Sequence, residues 1–80
     1  MDLKQAAEQL SYMYNNAPKG EAVTFIHLFG IKYAEEINAL KERGVSVQEL
    51  VKKSGLSDSY KTEVSKGIKL ANYVNLKTNL

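Results

Sequence analysis

The chain contains no cysteine, a single proline and a single histidine. Without cysteine there is no disulfide framework, no thiol nucleophile and no zinc site of the cysteine type. One histidine leaves no imidazole pair to seat a metal, and no DxDxDG calcium loop is present. The five glycines are scattered, so none of them builds a phosphate-cradling loop. No run of roughly eighteen apolar residues occurs, which excludes a helical membrane span from the expectations. The opening MDLKQAAEQL is mixed in charge and lacks the apolar centre of a signal peptide. These absences fit a cytoplasmic protein that needs neither cofactor nor metal.

Charge of one sign is also scarce: the formal net charge is only +2. Its distribution says more than its sum. Residues 1–43 hold five Lys/Arg and six Asp/Glu, a net −1, whereas residues 44–80 hold six Lys and three acids, a net +3. The positive charge is therefore concentrated in the second half. The length of 80 residues and the apolar fraction of 44% predict one helical domain over 1–80 with a modest core, which dimerisation would enlarge.

Helical periodicity accounts for most of the chain. Asp2 caps a first helix over about 3–15, with Leu3, Ala6, Ala7, Leu10, Met13 and Tyr14 on one face. Asn15–Gly20, which contains the only proline, reads as a turn. A helical region follows over about 21–42, where Ala22, Ile26, Phe29, Tyr33, Ile37 and Leu40 are spaced 4, 3, 4, 4, 3. VTFIHLF by itself also fits a buried strand, but the helical stripe continues into YAEEINAL. Gly30 either admits a close helix neighbour or splits the region near 29–31. Ser46-x-x-Glu49 is a capping box, and Val45 with Leu50 supplies the matching hydrophobic staple. They predict a two-turn helix over 47–54 that Gly55 terminates. Ser57, Asp58 or Ser59 then caps a last helix from about Tyr60 to Tyr73, and the tail NLKTNL is expected to fray.

The last helix divides sharply. At about 100° per residue, Tyr60, Val64, Gly67, Ile68 and Ala71 fall on one arc, while Lys61, Thr62, Ser65, Lys66, Lys69 and Asn72 fall on the other. Glu63 lies outside the polar arc. One edge packs and the other is free to meet phosphates and base edges, the division a recognition helix requires. Lys52 and Lys53 of the short preceding helix are candidate phosphate contacts, with Ser59 and the N–H groups of the last helix's first turn beside them.

The segments ELVKKSGLS and SYKTEVSKGIKLA resemble the first helix with its turn, and the recognition helix, of helix-turn-helix proteins of bacteria and their phages. The resemblance covers residues 45–71, with 29–43 as the supporting helix of a trihelical core. FGIKYAEEI followed by SYKTEVSKGIKLANYV is also similar to small prokaryotic proteins described as helix-turn-helix-like. The resemblance implies DNA binding or regulation. One position departs from it: Lys61 stands where familiar members carry an aliphatic residue, about six positions after the turn glycine.

Other residues have plainer readings. His27, between Ile26 and Leu28, is a structural hydrogen-bonding residue before it is a base, and no spacing links it to a serine or an acid as a catalytic set. Glu35-Glu36 is a surface pair. The lysines of the last helix also fit a merely solvated face. Phe25, Leu28 and Ile31 lie off the main stripe, so residues 22–31 are apolar on nearly every side. Such a segment is wrapped by other helices or covered by a second subunit.

The sequence thus predicts an all-α, compact bundle of four to five helices containing a helix-turn-helix-like unit at about 46–73. Its expected role is that of a non-enzymatic, homodimeric regulator bound to double-stranded DNA through Lys52, Lys53, Ser59, Lys61, Thr62, Ser65, Lys66 and Lys69. The alternative is a protein-interaction module, a phage-encoded inhibitor or an accessory subunit, that meets its partner through Phe25, Leu28 and Ile31 without touching DNA.

Overall fold

The computed structural model describes residues 1–77. Among them are five α-helices and no strand: α1 Leu3–Asn15, α2 Ala22–Lys32, α3 Ala34–Glu42, α4 Val47–Ser54 and α5 Lys61–Leu70, with a 3₁₀ turn at Asp58–Tyr60 ahead of α5. The expectation of a tail fraying over 75–80 lies, for residues 78–80, outside the described residues.

Local chemistry sets the helix starts. Asp2 caps α1 as one half of a capping box: its carboxylate accepts from the Gln5 N–H at 2.8 Å, and the Gln5 side chain accepts from the Asp2 N–H at 3.0 Å. Ser46 and Glu49 make the same reciprocal pair at the start of α4, where Ser46 Oγ accepts from the Glu49 N–H at 3.1 Å. Gly55 ends α4 with φ +85°, a backbone conformation that a Cβ would strain.

The region 21–42 is two helices, and the break falls at Tyr33 rather than at 29–31. Tyr33 leaves the helical path at φ −110° and ψ 21°, yet its N–H still bonds the Phe29 carbonyl and its own carbonyl receives the Ile37 N–H. The apolar stripe survives the break because the hydrogen-bonding spacing does. Ile26, Phe29, Ile37 and Leu40 are all buried in the same interior.

That interior also holds Ala6, Ala7, Leu10 and Met13 of α1, Leu50 and Val51 of α4, and Val64 of α5. Helix α2 packs against both α1 and α5, and α4 lies on α1. The main support of α5 is therefore α2, which shares only residues 29–32 with the 29–43 segment expected from the resemblance. Gly30 makes the approach possible: a Cβ there would lie 2.7 Å from the Val64 carbonyl oxygen and 2.8 Å from the Gly67 Cα. No helix among the described residues is long and apolar enough to cross a membrane.

Candidate nucleic-acid interface

Helix α5 begins at Lys61, one residue after the expected start at about Tyr60, and ends at Leu70, short of the expected Tyr73. Residues Asp58–Tyr60 form a 3₁₀ turn that Ser57 caps through its hydroxyl, and the α-helix runs only from Lys61 to Leu70. Ala71–Tyr73 continue as a hydrogen-bonded turn, with the Tyr73 N–H on the Leu70 carbonyl at 2.9 Å. The inserted 3₁₀ turn explains the departure at Lys61. That residue opens α5 and is exposed, and Val64 is the first α5 side chain to reach the core.

Three contacts fix the inner edge of α5. Val64 and Gly67 are buried against α2. The Tyr14 and Tyr60 hydroxyls lie 3.2 Å apart with their rings 5.4 Å between centroids, which ties α1 to the turn before α5. The hydrogen bond between the two hydroxyls raises the Tyr60 phenol above its ordinary value. The third contact is His27 Nε2 to Glu63 Oε1 at 2.7 Å, joining α2 to α5 across a half-buried seam.

The outer edge carries the expected polar residues. Lys61, Thr62, Lys66, Lys69 and Asn72 are exposed and Ser65 is half-buried. Two of these lysines have acidic company: Lys61 Nζ reaches Asp58 Oδ2 at 3.4 Å, and Lys66 Nζ lies 3.6 Å from Glu63 Oε2. The first is an exposed pair of the kind worth little in water, and in the second the Lys66 side chain is exposed although Glu63 is half-buried, so a phosphate can compete for either ammonium. The Glu63 carboxyl is held below its usual range chiefly by the His27 hydrogen bond, with help from the Lys66 and His27 charges, against an opposing effect of burial that ranks second. Glu63 therefore remains an anion at the rim of the lysine face.

The remaining sequence-derived candidates are more dispersed. Lys52 and Lys53 are exposed in the last turn of α4, where a cation also favours the helix C-terminus. Lys53 borders a shallow groove against α1, beside Lys4, Glu8 and Tyr12. Ser59 is exposed, but its hydroxyl is 3.0 Å from Ser57 Oγ and its N–H is directed at the same oxygen. The Tyr60 and Lys61 N–H groups bond to the Ser57 and Asp58 carbonyls. The free backbone donors expected before α5 are thus largely engaged by the 3₁₀ turn.

Phe25 and Leu28 are half-buried and pack on the core, and Ile31 is half-buried beside Ile68 at a groove between α3 and α5. Neighbouring helices take up much of the apolar girth of α2, leaving Val23 as its one large exposed apolar side chain, at 41%. The His27–Glu63 pair had no signal in the sequence, because 36 positions separate its partners. Only the i, i+3 spacing of Glu63 and Lys66 was legible beforehand. Among the described residues no cluster of three His, Cys, Asp or Glu is placed to hold a metal.

A family model described as an HTH-like domain matches residues 2–77. The chain belongs to the HTH-like domain family. The match takes in α1 through α5, so the HTH-like region is far wider than the 45–71 segment in which the resemblance was visible. An HTH-like domain supports DNA binding. No curated protein and no solved structure matches it.

Proposed function

We propose that this chain is a small, non-enzymatic transcriptional regulator of the cytoplasm that binds double-stranded DNA. Helix α5 enters the major groove, with Lys61, Thr62, Ser65, Lys66 and Lys69 toward base edges and phosphates. Lys52, Lys53 and Ser59 contact the flanking backbone, and a second copy sets the half-site spacing. One observation carries the reading. The helix that bears four exposed polar side chains in this set, Lys61, Thr62, Lys66 and Lys69, is pinned along its opposite edge by a helix crossing too tight for a side chain. A reading head needs that rigidity, because base contacts tolerate little displacement.

The test is a gel shift on random-sequence duplex across a salt series. Wild-type protein should retain the duplex at low salt and release it steeply as salt rises. The Lys61→Ala/Lys66→Ala/Lys69→Ala triple variant should lose retention with an unchanged helical circular-dichroism signal. Equal retention by the triple variant would remove the proposal.

A second reading keeps the chain as a protein-interaction module that docks or dimerises through α2. Its support is the exposed Val23 near the half-buried Phe25, Leu28 and Ile31. It expects one stoichiometric protein partner and no duplex shift at low salt. A clean monomer at high micromolar concentration would count against the homodimer in both readings.

A further inference from the structure

The lysine edge of α5 runs into a feature that a duplex-reading helix does not need. Past the end of α5, Tyr73 is 84% exposed, and Leu70 one turn before it is 40% exposed. The two side chains lie beside one another in water, and an aromatic ring with a free face is a stacking platform. The platform is held in place. The Asn72 N–H bonds the Lys69 carbonyl at 3.1 Å, and the Val74 N–H bonds the Leu70 carbonyl at 3.0 Å, so the turn carrying Tyr73 is hydrogen-bonded on both sides.

Tyr73 and Leu70 line a shallow hollow whose other walls are His27, Lys66 and Lys69. Its surface is almost wholly apolar, made by the Tyr73 ring, the Leu70 isobutyl group and the aliphatic stems of Lys66 and Lys69, two exposed residues that carry their charge beyond it. Among the described residues no carboxylate lines it, and Glu63, three positions before Lys66, is engaged with His27 and Lys66. A wholly apolar partner would offer neither lysine a counter-charge, and Lys66 would keep only Glu63, 3.6 Å away and shared with His27. A nucleobase with its flanking phosphates supplies both halves: a π-face for Tyr73 and anionic oxygens for Lys66 and Lys69. In a closed duplex the base faces are covered by their neighbours, so only an unstacked base can lie on the ring.

We infer that Tyr73 and Leu70, rimmed by Lys66 and Lys69, form a stacking site for an unpaired base, so that the chain binds single-stranded DNA beside its duplex-reading helix. The inference shares the lysine face with the proposed duplex contact but does not require it to be correct.

Fluorescence anisotropy with two labelled probes tests the site: a short oligothymidine strand and a blunt hairpin duplex of random sequence. Wild-type protein should bind the strand. Tyr73→Ala should weaken that binding roughly tenfold while changing duplex affinity by less than about twofold. Tyr73→Phe should keep strand binding, because it keeps the ring. Tyr12→Ala, which removes another exposed tyrosine on α1, should leave both probes unaffected. The inference is overturned if wild-type protein does not bind the strand, if Tyr73→Ala binds it normally, or if Tyr73→Ala weakens both probes equally. A loss of self-association in Tyr73→Ala with no change in strand binding would also overturn it, by assigning the platform to a second copy of the chain. Loss of duplex binding alone, with Tyr73-dependent strand binding intact, would sink the regulator proposal and leave this one standing.

Discussion

Gly30 and Gly67 meet backbone to backbone where α2 crosses α5. A Cβ on Gly67 would run into the His27 carbonyl oxygen and sit 3.0 Å from the Gly30 Cα. Both obstacles are main chain, which cannot swing aside as a side chain can. On an exposed helix Gly→Ala gains about 1 kcal/mol. Here the added methyl must push two helices apart, a cost of typically about 1–3 kcal/mol. Gly67→Ala should therefore lower Tm by several degrees, and Gly30→Ala should do the same. Thermal unfolding of the two single variants checks this, and a Tm equal to or above wild type would mean that the helices separate freely.

Removing Lys52 and Lys53 should act differently from removing the α5 lysines. If the former touch only phosphate, Lys52→Ala/Lys53→Ala should weaken every duplex alike and reduce the salt slope by about one for each ammonium taken off the phosphates. Changes at Lys61 and Thr62 should also alter which sequences are preferred. Parallel site selection with the two sets of variants separates the roles. Because Lys53 borders the α1 groove, an unchanged salt slope in Lys53→Ala alone would place that ammonium off the DNA path.

The His27–Glu63 pair gives the α2–α5 seam a pH dependence of definite sign. The folded protein lowers the Glu63 pKa below its ordinary value of 4.5, chiefly through the His27 hydrogen bond. A carboxyl depressed on folding stabilises the native state above its unfolded pKa, and that contribution fades as pH falls through the folded value. Glu63→Gln should thus lower Tm at pH 7, and the gap to wild type should narrow below about pH 4.5. A gap that stays constant down to pH 3 would show that ionisation of Glu63 contributes nothing to the seam.

Helix α4 is short and depends on its cap. Ser46→Ala removes the acceptor for the Glu49 N–H and should cost about 0.5–2 kcal/mol in chemical denaturation. Ser59→Ala, by contrast, removes a hydroxyl that bonds only to exposed Ser57, and should change stability by less than about 0.5 kcal/mol. Equal losses in the two variants would mean that the 3₁₀ turn limits stability as much as the α4 cap.

The sequence by itself determined whatever depends on near neighbours. Asp2 and Ser46 with their partners three residues on, the αL glycine at position 55, and the apolar stripes of α1 and α4 act within a turn or two. Those helices accordingly begin and end where the residues say. The outward lysine arc of α5 was legible for the same reason, since 3.6-residue geometry puts Lys66 and Lys69 far around the helix from Val64. Only the tertiary structure decided what lies across space. It moved the break in 21–42 to Tyr33, because a stripe with unbroken spacing conceals a bend that keeps its hydrogen bonds. It inserted a 3₁₀ turn before α5, which one or two residues of capping preference could not distinguish from an α-helical start. It chose between the two uses of Gly30 by bringing Gly67 against it, and it put His27 on Glu63. Such pairings depend on how whole helices cross, and no periodicity within one segment carries that information.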